Sequence, residues 1–506
     1  MFKYPERCQT MTRSCLLFIA CLLLSGAASS TPSISLSRKT GPPTSRILVS
    51  GRGFSPHVGV DVYFGRKDEA LIVTNGKGEF DDAQIHVPRA ARPGERWVTA
   101  LERNNDRGAQ KLFLVRANWK QFRFDVHGTG ANPYENVLSP NNVRSLQLKW
   151  IYNTGSSVFS SPALANGVVY IGSDDSNIYA LDADTGAKLW SYATGGEADT
   201  SPAVENGIVY AGGGDYGTGT NTVYAVDAST GVLLWTYVTG NGVWSSPAVA
   251  NGTVYIGSNY YSVYALDAAN GAKLWSFATG AMVESTPAVA NGVVFVSSDD
   301  NKVYALDART GVLLWSYATG NYVNSSPAVV DGVVYVGSAD DNLYALNAST
   351  GAKMWSHSTL GSPSVANGVV YVGSYSDHVY ALNSSAGAEL WSYPTTGIVY
   401  SSPAVANGVV YVGSEGSDGS NLYALQASNG TLLWKYSFGG RYIYSSPAVA
   451  NGTVYIGSYD GAVIAFGLPG NNEAQGKASI RPVLNTLSPD LELKMSNPSG
   501  TASSAE

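Results

Sequence analysis

The residues able to do chemistry stand where a repeating chain departs from its own pattern. Three residues before the recurring Pro of a Ser/Thr-Pro step lie Phe159, Asp199, Trp244, Glu284, Asn324, Tyr400 and Tyr444, and the sixth of eight units, four residues short, has no clear equivalent. Asp199, Glu284 and Asn324 offer carboxylate and amide oxygens, the donors that a hard cation takes. Phe159, Trp244, Tyr400 and Tyr444 offer flat faces for a planar ligand or a sugar. Arg441 adds a nearby cation. Two residues earlier, on the same face of an extended segment, lie Ser157, Glu197, Gly242, Met282, Tyr322, Ile398 and Tyr442. The position between the two sets is almost always Val or Ile, which reads as packing.

These positions are held by a repeat. Ser/Thr-Pro steps at Pro162, Pro202, Pro247, Pro287, Pro327, Pro363, Pro403 and Pro447 mark eight units, spaced by 40, 45, 40, 40, 36, 40 and 44 residues. Each unit reads as four strands: Ser-Pro-Ala-Val, an Asn-Gly hairpin turn, Val-Val-Tyr-Val-Gly, then Tyr-Ala-Leu, then Leu-Leu-Trp after a Thr-Gly turn. Four short antiparallel strands about every 40 residues predict a propeller blade, and eight units predict an eight-bladed ring. Trp150, Trp190, Trp235, Trp275, Trp315, Trp355, Trp391 and Trp434 recur in register, as a docking residue would. Trp150 precedes the first unit and the last unit lacks a Trp strand, so the strand of Trp150 is expected to complete the last blade. The segments before each Ser-Pro lead into the innermost strands. Their variable side chains are therefore expected to ring one mouth of the central channel.

The run Ala-Leu-Asp-Ala-x-Thr-Gly-x-x-x-Trp, at Ala180–Trp190, Ala305–Trp315 and more weakly Ala381–Trp391, resembles the pyrroloquinoline quinone (PQQ)-type propeller repeat. The lead-in from Trp119 through Asn132 and Asn142 to Trp150 is similar to that of such proteins, so the resemblance covers residues 119–467. It implies an all-β, eight-bladed propeller, and either a PQQ-dependent alcohol or sugar dehydrogenase or a non-enzymatic member that helps assemble outer-membrane barrels. In a dehydrogenase of this kind Glu284, Asn324 and Asp199 would hold Ca²⁺, and an aromatic face would stack on PQQ. Asp199 would be the candidate base, and Arg441 would polarise the quinone oxygen. Departures from that pattern are an absent adjacent-cysteine pair and nearly uniform spacings with no long pocket-building inserts. The sequence therefore predicts a non-catalytic binding or scaffold role, with envelope proteins or glycans as partners. A PQQ- and Ca²⁺-dependent dehydrogenase and a carbohydrate-binding propeller are the alternatives.

The remaining chain bounds the setting. Lys3, Arg7 and Arg13, an apolar run and then small residues make residues 1–28 a secretory signal, so export to the periplasm or cell exterior is expected. All three cysteines, Cys8, Cys15 and Cys21, fall inside it. A lipid anchor at Cys21 would require a cut that splits the apolar run. Residues 31–117 alternate like a small β-sandwich, and Gly51 to Pro56 followed by Val60 to Phe64 resembles a TIG-type immunoglobulin-like domain. Residues 468–506 are rich in Pro, Ser, Asn and Gly and read as a flexible tail. Charge is split: residues 1–149 carry a balance of +9 and residues 150–506 one of −16. An acidic body argues against nucleic acid, and no later stretch is long enough to span a membrane. Acidic turns at Asp174, Asp299, Asp340, Asp418 and Asp460 are read as turn chemistry, because their spacing lacks the alternation of a calcium loop.

Overall fold

A computed structural model describes residues 31–103, 105, 107–214, 221–416, 419–439 and 442–469. The expected signal at residues 1–28, Asp418, Arg441 and the expected tail beyond Pro469 lie outside the described residues.

The first blade consists of Ala163–Ala165, Val168–Ser173, Asn177–Asp182 and Lys188–Ala193, antiparallel and in sequence order. Asn166 at φ 53° and Gly167 at φ 83° form the two-residue turn, both in the left-handed region that the Asn-Gly pair tolerates. Blades 2 to 7 repeat the pattern over residues 203–238, 248–278, 288–318, 328–357, 364–394 and 404–437. Blade 8 takes Ala448–Ala450, Thr453–Gly457 and Ala462–Gly467 from the end of the repeat and Gln147–Asn153 from before it. The innermost strands neighbour one another in order, and the eighth neighbours the first, so the ring is closed. Closure leaves no blade incomplete, and the edges that remain are the short outer strands of the blades.

Each indole is fixed across a blade boundary. Trp150 Nε1 donates to Ala183 O (3.1 Å), Trp235 to Ala268 O (3.0 Å), Trp315 to Ala348 O (2.9 Å) and Trp391 to Ala427 O (2.9 Å). Trp190, Trp275 and Trp355 do the same to Ala228, Ala308 and Ser384, and Trp434 reaches Leu146 O ahead of the strand that finishes blade 8. The apolar residues of the lead segments, Val158, Ala198, Val243, Val283, Val323, Val399 and Ile443, are buried between blades. Val158 lies so close to Gly457 that a Cβ there would stand 2.4 Å from its Cγ1, which explains glycine in that strand.

Residues 33–115 form two sheets, one of three strands and one of five, around a single core that includes Ile47, Val49, Val62, Val98 and Phe113. Besides the two-residue strand Thr40–Gly41, two strands not evident in the sequence are Lys67–Val73 and Phe80–His86. The first begins with charges and lies at a sheet edge with no consistently buried face, so its alternation is weak.

The lead-in is not simply a strand. Residues 119–132 run around the inside of the ring and bond to the inner strand of all eight blades. Trp119 pairs with Leu164, and Lys120 O accepts from Val204 N (2.7 Å). Gln121 Oε1 accepts from Val249 N (3.0 Å). The carbonyls of Val126, His127, Thr129 and Gly130 accept from Val289, Val329, Val365 and Val405. Asn132 Nδ2 donates to Val449 O (2.8 Å). Arg123, 3% exposed, donates to Pro363 O (2.7 Å) and Pro327 O (2.5 Å). Burial pulls its pKa down to about 9, so it stays charged at neutral pH. This hoop fills the channel at its Asn-Gly end.

Candidate functional site: the open mouth of the channel

The opposite end of the channel is bordered by the segments preceding each Ser-Pro. A girdle of hydroxyls sets their height. Ser161 N donates to Ser201 Oγ (2.9 Å), Ser201 N to Ser246 Oγ (2.9 Å) and Thr286 N to Ser326 Oγ (2.9 Å). Ser326 N donates to Ser362 Oγ (3.0 Å), Ser402 N to Ser446 Oγ (2.8 Å), and Ser446 N to Ser161 Oγ (2.9 Å), joining the last blade to the first. A second buried hydroxyl in seven of the eight lead segments takes a backbone N–H of its own blade, as Ser160 Oγ does from Gly172 (3.1 Å), and the sixth has Gly361 in its place. These buried hydrogen bonds join neighbouring blades and make the mouth a firm collar.

The variable side chains on this collar divide into two arcs. Across blades 6, 7, 8 and 1 they are aromatic and in contact: Tyr375 to Tyr400 at 5.0 Å between ring centroids, Tyr400 to Tyr444 at 5.3 Å, and Tyr444 to Phe159 at 5.2 Å. Tyr459 packs edge-on against Phe159 at 5.5 Å. Phe159 is 36% exposed, Tyr400 40% and Tyr375 44%, so the arc presents ring surface to solvent. Burial, then the neighbouring Glu415, push the Tyr444 hydroxyl up to about 12. Tyr375 and Tyr459 are the members that the sequence reading missed. They occupy the position after Gly-Ser, where two other units carry Asp174 and Asp299, and Tyr375 belongs to the short sixth unit.

Across blades 2 to 5 the collar holds Asp199, Trp244, Glu284 and Asn324. Trp244 and Asn324 are exposed, while Asp199 and Glu284 are half-buried. Burial, then repulsion from Asp299, push the Glu284 carboxyl up to about 7. Asp299 is itself raised by burial and by Asp300. The charged neighbour of Glu284 is thus Asp299, on the adjoining turn. Among the described residues no three His, Cys, Asp or Glu side chains come together to hold a metal ion. Arg441, the candidate cation, lies outside the described residues.

Other turn acids are engaged in structure. Asp175 Oδ2 accepts from Gly155 N and from the Tyr179 hydroxyl, each at 2.6 Å. Asp340 Oδ2 does so from Gly320 N (2.6 Å) and Tyr344 (2.7 Å). These carboxylates bolt a turn to the preceding Thr-Gly segment, the local role expected of Asp in turns.

Comparison with known proteins places the repeat. The family described as outer membrane protein assembly factor BamB matches residues 143–243, 219–365 and 358–466. Among solved structures, BamB from Moraxella catarrhalis is 20% identical with a TM-score of 0.55, covering 64% of this chain and 100% of its own. A europium-containing methanol dehydrogenase is 13% identical (TM-score 0.60; 70% and 98% covered). The quinohemoprotein alcohol dehydrogenase from Comamonas testosteroni is 16% identical (TM-score 0.59; 69% and 80%). At these identities the likeness concerns the fold. No curated protein matches the chain in sequence.

Proposed function

This chain belongs to the family described as outer membrane protein assembly factor BamB, and on that premise we propose that it is an exported, non-catalytic binding or scaffold protein of the cell envelope. Its contact surface is the open channel mouth, and its partner is an envelope protein or glycan. The observation that carries this reading is the joined aromatic arc of Tyr375, Tyr400, Tyr444 and Phe159. Rings packed on one another above a hydrogen-bonded collar and left part-exposed are what a binding hot spot needs, because little side-chain entropy remains to be lost. The channel behind them is filled by residues 119–132, so a partner is met at the mouth. Two sheets around one core support an immunoglobulin-like reading of residues 31–117. Among the described residues no helix is long and apolar enough to cross a membrane.

One observation favours a second reading. A carboxyl with a pKa of about 7 at the mouth is suited to general-base work, so Glu284 supports the alternative of a PQQ- and Ca²⁺-dependent dehydrogenase of alcohols or sugars. Titration of the purified protein with PQQ plus Ca²⁺, followed by tryptophan fluorescence and calorimetry, separates the two. The binding reading predicts no saturable signal. Saturable binding that disappears in Glu284→Gln would replace it with the enzyme.

A further inference from the structure

A second concave site lies far from the mouth, where the N-terminal sheets meet the Asn-Gly face of the propeller. The junction is tied by Ala117 N to Asn451 Oδ1 (2.8 Å), by Asn451 Nδ2 to Ala117 O (2.9 Å), and by Asn136 Nδ2 to Ala91 O (2.9 Å). Beside these bonds opens a cleft of about 710 Å³, within the range of small-ligand sites. Four cations line it: Arg92 and Arg96 from the N-terminal unit, Arg116 at the junction and Lys149 from the strand that closes the ring. One carboxylate, Asp184, accompanies them, 3.8 Å from Lys149. None of the three arginines is in an ion pair among the described residues.

The cations are positioned by glycine surfaces. The Arg116 guanidinium lies against Gly167, where a Cβ would come within 2.0 Å of Nη1, and the Lys149 stem lies along Gly467. Arg96 is steadied by donation to Glu95 O (2.7 Å). Like charges gathered in a partly enclosed space repel one another, and the arrangement becomes favourable when an anion neutralises them. Guanidinium forks recognise phosphate and carboxylate alike, and more than one can engage a multiply charged ligand.

We propose that this cleft binds a polar ligand carrying two or more phosphate or carboxylate groups. Part of the positive surplus of the N-terminal unit is thereby turned inward, toward a site shared with the propeller. The site is independent of the channel mouth and of the role proposed there.

The test is calorimetric titration of the full-length protein with tripolyphosphate and, separately, with a galacturonic acid trimer, each at low and at physiological salt. At least one probe should bind saturably, more weakly at higher salt. The Arg96→Gln/Arg116→Gln double variant should lose about tenfold or more in affinity, as expected for removal of charge-assisted hydrogen bonds. Its melting temperature should match that of the parent. The probe that binds more tightly identifies the preferred group. Arg38→Gln/Arg46→Gln, at exposed positions that do not line the cleft, should leave binding unchanged. Binding of neither probe, an unaltered affinity in the first variant, or an equal loss in the second would overturn the assignment.

Discussion

Glu284 shows how a single position can belong to the collar and still be poised for titration. Its pKa of about 7 stands above the ordinary 4.5, so ionising it in the folded protein opposes folding. The favourable contribution of the protonated form is complete below pH 4.5 and is lost as the pH rises toward 7. Glu284→Gln removes that dependence. The melting temperature of the variant relative to the parent should therefore climb between pH 5 and pH 8, by the equivalent of about 1 kcal/mol once solvent screening of a half-buried group is allowed for. A difference that stays flat across this range would show that Glu284 ionises normally. Glu284 was legible in the sequence as a departure from the repeat. Its partner Asp299 was not, because the contact joins a lead segment to a turn whose acid reads as ordinary turn chemistry.

Among the elements, hydroxyls of similar chemistry carry unequal weight. Tyr255 donates to Ala308 O (3.1 Å), but Trp275 Nε1 donates to the same carbonyl (2.9 Å). The chain already tests the consequence: the corresponding residue in the next blade is Phe295, and it meets Trp315 at the same 5.9 Å that separates Tyr255 and Trp275. Tyr255→Phe should thus change stability by about 0.5 kcal/mol or less, since the acceptor stays paired. Ser161→Ala should cost about 1–3 kcal/mol, because it leaves the buried N–H of Ser446 without its acceptor. Chemical denaturation of the two variants checks this order, and an equal or reversed cost would contradict it. The blades and the recurring indoles were readable from periodicity alone. Ser161 and Ser446 were visible as motif residues too, but their bond spans 285 positions and exists only because the ring closes.

For the whole molecule, the hoop of residues 119–132 decides how the propeller stands as a unit. A chain beginning at Ala117 keeps all eight hoop contacts, whereas one beginning at Gln147 keeps the closing strand and loses them. The shorter chain should be less stable by roughly 4–12 kcal/mol, at about 0.5–1.5 kcal/mol for each of the eight lost contacts. Equal melting temperatures for the two would refute a structural role for the hoop. It escaped the sequence reading because its eight partners lie on eight different blades, and its own residues follow no period. The basic cleft is hidden for a similar reason, since Arg96 and Lys149 are far apart in the chain and meet only when the sheets dock on the ring. The central claim concerns the other end of the molecule, where the aromatic arc meets its partner. Its most direct test is a photo-reactive amino acid placed at Tyr400 in intact cells, with the same probe at the exposed, distant Lys353 as the reference. A discrete envelope adduct from position 400 alone is the predicted result. No adduct there, or the same adducts from both positions, would contradict the account.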